Sequence, residues 1–124
     1  MEIRRLSWLG IRTGRLDEMA QFFERVLGVR PALREPGRVL FLLPNGDPID
    51  LFDEGLERYG HFDTGPVVGF MVDDVDAARA ELEAAGVVDL GPVQRAEGFA
   101  WAHFRGPDGT LFELQGRTGE PEGD

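Results

Sequence analysis

The chain has 124 residues, 42% of them apolar, which is enough for one compact domain with a real core and too little for two ordinary ones. It contains no cysteine, which excludes disulfides, thiolate metal sites and cysteine nucleophiles together. A net charge of −10 sets it against nucleic acid, which needs clustered cations, and no apolar run is long enough to span a bilayer. The two arginines near the N-terminus are followed by no apolar segment of the secretory type, so a cytoplasmic location is expected.

In chain order, Leu6–Thr13 reads as a strand. Gly14–Leu27 reads as an amphipathic helix, with Leu16, Met19, Phe23, Val26 and Leu27 on one stripe and Asp17 and Glu18 near its positive end. Gly28 is placed to end it, and Pro31 confines a second strand, Val29–Leu33, to an edge or a bulge. Arg38–Leu43 and Ile49–Phe52 read as further strands. The stretch 53–66 is polar and aperiodic and reads as a linker, with a short helical turn within Glu54–Tyr59. The order then repeats: strand Val67–Val72, helix Asp73–Ala85 ended by Gly86, a weak strand Val87–Val93 broken by Gly91-Pro92, and strands Phe99–Phe104 and Leu111–Gln115. Residues 116–124, rich in glycine, proline and acid, read as a flexible tail.

The repeat has a fixed offset. Pro107 follows Pro44 by 107 − 44 = 63, Gly109 follows Gly46 by 109 − 46 = 63, and Glu113 follows Asp50 by 113 − 50 = 63. Each half thus carries a Pro-x-Gly turn and then a strand with a carboxylate among apolar residues. The helix starts match at 75 − 16 = 59. The expected fold is α+β, made of two βαβββ modules, 6–52 and 67–115, within one domain over 1–115. Each mixed sheet would be covered by its helix on one face, and the modules would pair their free faces around a cavity.

Paired βαβββ modules, a helix ending in Val26-Leu27-Gly28, and the Pro107-Asp108-Gly109 turn before the strand bearing Glu113 resemble the vicinal oxygen chelate superfamily. That superfamily includes glyoxalase I, bleomycin-resistance proteins, fosfomycin-modifying enzymes and extradiol dioxygenases. The resemblance implies a cavity in which family enzymes commonly hold one divalent metal. Two ligands, usually histidines, lie on the first strands of the modules and two, usually glutamates, on the last strands. Carried onto this chain, the first-strand positions are Trp8 and Val67 (67 − 8 = 59), which cannot bind a metal, and the last-strand positions are Asp50 and Glu113, which can. Two carboxylates without imidazole make a weak oxygen site, so no metal cofactor is expected; the alternative is a divalent metal on Asp50, His103 and Glu113. The resemblance also implies a homodimer.

Strand parity adds His103 and Trp101. Phe41 and Phe104 (104 − 41 = 63) read as helix-side core, which turns Leu40 and His103 to the other face, provided the turn before Glu113 is longer than two residues. Glu113 reads as a ligand-binding group, a general base, or an inherited acid paired with an arginine. Asp50 reads the same way but with more solvent. Trp8 either lines the cavity or plugs it, Trp101 shares that ambiguity, and Val67 is most simply core. His61 reads as surface. The resulting expectation is a metal-independent small-molecule-binding protein that holds an aromatic or cationic compound among Trp8, Asp50, Val67, Trp101, His103 and Glu113. Its rivals are a glyoxalase-like lyase or isomerase with Glu113 as base, and a structural or regulatory homodimer with a filled cavity.

Overall fold

The computed structural model describes residues 1–118. Among these residues no helix is long and apolar enough to cross a membrane. The chain divides into two units, Trp8–Val67 and Met1–Ser7 with Val68–Asp124.

The first unit takes in β1 (Arg5–Thr13) from Trp8 onward, α1 (Leu16–Gln21), β2 (Arg30–Glu35), β3 (Arg38–Leu42) and β4 (Pro48–Asp53). Its strands lie in the order β2-β3-β4-β1. The β2–β3 and β3–β4 pairs are antiparallel, and β4 and β1 run parallel. β2 is therefore an edge strand, and its register slips between Pro31 and Leu33, the two accommodations a proline requires. Alternation sends Val39, Phe41 and Leu51 against α1, where they bury with Ala20, and Leu16, Met19 and Phe23 close the cluster. Phe41 is fully buried and stacks on Phe23 at 5.6 Å. Burying a ring of that size contributes roughly 1.5–3 kcal/mol.

The helix departs from the expected stripe. After Gln21 it widens into a π-helical turn over Phe22–Val26, in which the Leu27 amide donates to the Phe22 carbonyl, 3.1 Å away. The wider turn takes Val26 and Leu27 out of the α-helical stripe, and they stand 69% and 52% exposed instead of joining the core.

The second unit contains β5 (Val67–Met71) from Val68 onward, α2 (Val75–Ala84), β6 (Gln94–Ala96), β7 (Phe99–Arg105) and β8 (Leu111–Arg117), in the order β5-β8-β7-β6. Asp74 caps α2 by accepting from the Ala77 amide at 3.0 Å. Val75 and Ala78 of α2 bury with Val72, Ala100, Ala102 and Leu114, and Phe104 packs against them. The expected strand Val87–Val93 does not form. Leu90 makes a single bridge to Phe104 and the Gly91 amide donates to His103, but Pro92 has no N–H to continue the ladder. The strand that does form, Gln94–Ala96, is exposed and has no apolar alternation to announce it. β8 also continues through Arg117, so Gly116 and Arg117 belong to the sheet and not to a tail. The rest of the expected tail, from residue 119, lies outside the described residues.

The duplicated turns match bond for bond. Gly46 and Gly109 both hold φ +89°, which a side chain would strain. The Gly46 amide donates to Leu43 and the Gly109 amide to Gly106, at 2.8 and 3.0 Å. Asn45 Oδ1 accepts from the Asp47 amide, and Asp108 Oδ1 from the Thr110 amide, at 3.1 and 3.0 Å. Every donor, acceptor and glycine recurs 63 positions later.

Candidate functional site

In the second unit, β7 and β8 turn Ala102 and Leu114 toward α2, so the intervening residues face away from the helix. The register sets His103 opposite Glu113 and Trp101 opposite Gln115. A two-residue turn at Asp108-Gly109 would instead have set Phe104 opposite Glu113. The last paired residues are Arg105 and Leu111, so the connection spans Gly106 to Thr110 and its extra length keeps His103 beside the acid. His103 Nε2 lies 3.0 Å from Glu113 Oε1, and the side chains are 13% and 9% exposed. In parallel β5, Gly69 is in register with Glu113 and adds no side chain beside the carboxylate. Trp101, half-buried, stands two residues along β7 from His103 on the same face. An imidazole touching a sheltered carboxylate can hold a proton between two groups, or accept and donate hydrogen bonds to a bound molecule.

The corresponding face of the first unit has different chemistry. Asp50 is 3% exposed, so the expectation of a more solvated acid gives way to a buried one. Arg38 meets it with Nε donating to Oδ1 at 2.8 Å and Nη2 donating to Oδ2 at 3.0 Å, and Trp8 Nε1 donates to Oδ2 at 3.1 Å. The hydrogen bond to Asp50 raises the Arg38 pKa above the ordinary guanidinium value, against the opposing effect of burial. The arginine pairing that the sequence left open for Glu113 is thus found at Asp50. It was missed because it needs the register: Arg38 lies two residues before Leu40, the residue opposite Asp50, on the same face.

Trp8 is held as firmly as Asp50. Its indole packs on Phe52 and Phe62, with centroids 5.8 and 5.9 Å away, and a Cβ on Gly10 would fall 2.0 Å from the ring. Phe62 is 6% exposed, and Tyr59 stacks on Phe52 at 4.1 Å. The stretch 53–66, expected as a polar linker, therefore contributes two aromatic anchors. The expected helical turn is a 3₁₀ turn at Glu57–Tyr59. Val67 is fully buried, and His61 is exposed.

By the internal repeat, Trp101 stands where the first unit has Arg38 (101 − 38 = 63), and His103 where it has Leu40 (103 − 40 = 63). One unit gives its acid a bidentate arginine; the other gives its acid an imidazole and sets an indole nearby.

A family model described as "Glyoxalase/Bleomycin resistance protein/Dioxygenase superfamily" matches residues 5–114. The chain belongs to this superfamily. No curated protein matches it. Solved structures share the fold of this superfamily member at low identity. One is a glyoxalase/bleomycin resistance protein/dioxygenase superfamily member from Vibrio splendidus 12B01, at 18% identity and TM-score 0.68, covering 90% of this chain and 97% of that one. Methylmalonyl-CoA epimerase from Mycobacterium tuberculosis is 21% identical at TM-score 0.69, with 94% and 90% covered. A 2,3-dioxygenase from Pseudomonas sp. KL28 is 24% identical at TM-score 0.70, with 93% of this chain matching 41% of that one.

The residues present do not fit the four-ligand metal set that the superfamily implies. Trp8 and Val67 offer no ligand atom. Both Asp50 oxygens are engaged, and a cation there would meet the Arg38 guanidinium. His103 and Glu113 alone remain, a ligand pair short of a site. Among the described residues no three His, Cys, Asp or Glu side chains are grouped to hold a metal ion.

Proposed function

We propose that this superfamily member is a metal-independent small-molecule-binding protein, with its ligand held against the Trp101, His103 and Glu113 face of the second unit. The observation that carries the reading is the contact between His103 and Glu113, 3.0 Å apart and sheltered from water beside a half-buried indole. A sheltered carboxylate favours a ligand that brings a cationic or strongly hydrogen-bonding group, and the indole favours a flat ring system next to it. Asp50 is a poorer ligand group because Arg38 already neutralises it. The test is a thermal-shift screen of flat cationic and neutral compounds, followed by calorimetry on Glu113→Gln and Trp101→Ala. Each change should weaken a hit by roughly 1–3 kcal/mol, through a lost charge-assisted hydrogen bond or lost stacking area. Hits that bind both variants as tightly as wild type would refute the assignment.

The His103–Glu113 contact also favours a second reading, a proton-transferring lyase or isomerase. There Glu113 removes a proton next to a carbonyl and His103 stabilises the resulting charge or returns a proton. Methylmalonyl-CoA epimerase among the structural neighbours makes that class of reaction worth testing. Incorporation of solvent deuterium into a bound carbonyl compound, abolished in Glu113→Gln with binding retained, would select this reading over simple binding.

A further inference from the structure

The chain carries 13 basic and 23 acidic residues, so an arginine without a carboxylate is not explained by scarcity of acids. Among the described residues Arg12 is such an arginine. It lies on β1 in register with Phe52 of β4, and alternation along β1 puts it on the face that carries Trp8, Gly10 and Asp50. It is half-buried, as are Arg38, Arg79 and Arg105. Those three reach Asp50, Glu83 and Asp89 at 2.8, 3.5 and 3.6 Å. Arg12 instead donates from Nη2 to the neutral backbone carbonyl of Glu54 at 3.1 Å, while its Nε is enclosed without an acceptor. A guanidinium held in partial shelter at that cost, on a face that also carries the Trp8 and Phe52 rings, departs from the pairing found at the other three. Such departures concentrate at binding sites.

We propose that Arg12 anchors an oxyanion-binding site in the first unit, which takes the carboxylate or phosphate group of a small organic acid. The planar guanidinium presents neighbouring N–H groups to two oxygens at once, which an ammonium cannot do. The site uses residues of the first unit alone, and its test fails or succeeds separately from the reading placed on Trp101, His103 and Glu113.

The experiment titrates the full chain with benzoate, phenyl phosphate and neutral benzamide at constant ionic strength. It follows the Arg12 side-chain N–H resonances, assigned by comparison with Arg12→Lys. Both anions should shift the Arg12 signal saturably, and benzamide should not. Binding should weaken at least tenfold in Arg12→Gln and in Arg12→Lys, which keeps the charge but loses the fork. Arg25→Gln, a change at an exposed arginine, should bind as wild type does, and so should Trp101→Ala and Glu113→Gln. An Arg12 signal that stays still in wild type, equal weakening across all the arginine variants, or loss of anion binding in Trp101→Ala would each overturn the proposal. The wild-type signal decides the matter even if Arg12→Gln fails to fold. A preference for phenyl phosphate over benzoate, or the reverse, identifies which oxyanion the site takes.

Discussion

Removing Arg38 should be among the most damaging single changes in the first unit. Asp50 is 3% exposed and receives two N–H groups from Arg38 and one from Trp8, so Arg38→Gln leaves a buried carboxylate without its charged partner. Breaking a buried pair in this way costs about 3–5 kcal/mol. The Arg38 side chain is 26% exposed, so water reaches the gap and the lower end applies, about 3 kcal/mol. Globular chains unfold with an entropy of about 2.1 cal/mol/K per residue, which for this length converts the loss to a fall of about 11 °C in Tm. Replacing both partners, Arg38→Met with Asp50→Leu, removes the charge that had to be desolvated but also the acceptor of Trp8 Nε1, and should leave the protein only about 1–2 kcal/mol below wild type. Differential scanning calorimetry at pH 7 on wild type, Arg38→Gln and the double variant is the assay. A fall of less than about 3 °C in the single variant, or a double variant no better than the single, would refute the view that Arg38 holds a buried charge.

Further expectations rest on the donor set of the site, on superfamily membership and on the surface carboxylates. Elemental analysis of protein purified without chelators should find no stoichiometric Zn, Ni, Mn or Fe; about one metal per chain, lost in Glu113→Gln, would contradict the donor-set argument. Sedimentation equilibrium at micromolar concentration should give twice the 13.8 kDa chain mass, and a single species at the chain mass would exclude a homodimer. Glu18, Asp73 and Asp108 have pKa values below the usual carboxylate range, held there mainly by hydrogen bonds from the Arg15 side chain, the Arg4 side chain and the Thr110 amide respectively. Because their folded values are depressed, the stability they contribute is present at neutral pH and fades as pH falls below about 4. Asp108→Asn should flatten that part of the acid limb in a pH series of thermal melts, and an unchanged limb would count against the turn hydrogen bond.

The parts of the fold fixed by short-range chemistry are legible in the sequence. The Pro-x-Gly turns declared themselves because glycine at positive φ and an Asn or Asp bonding its own backbone are local requirements, and Gly46 and Gly109 carry them identically. Alternation placed Phe41 and Phe104 on the helix side, whereas His103 stands beside Glu113 only because the connection from Gly106 to Thr110 is longer than a two-residue turn. The misreadings share a physical origin. The π-helical turn at Phe22–Val26 breaks a period that the residues themselves continue, so Val26 and Leu27 read as core and lie in solvent. The segment 53–66 looked featureless because Tyr59 and Phe62 are spaced for anchoring on Phe52 and Trp8, not for a helix or strand. Asp50 was misjudged because its solvation depends on Arg38, a partner brought in by register between strands and not by sequence spacing. Arg12 went unnoticed although it is four residues after Trp8 on one strand, a spacing that puts both on the same face.

If a ligand rests on the His103–Glu113 pair, the imidazole resonances will report it. The chain has two histidines, exposed His61 and sheltered His103. In a ¹H–¹⁵N imidazole spectrum titrated with a hit from the thermal-shift screen, the His103 signals should move saturably while those of His61 stay in place. Glu113→Gln should shift the starting position of His103 and weaken its response. A ligand that binds by calorimetry but moves only His61, or moves neither histidine, would contradict the assignment of the site.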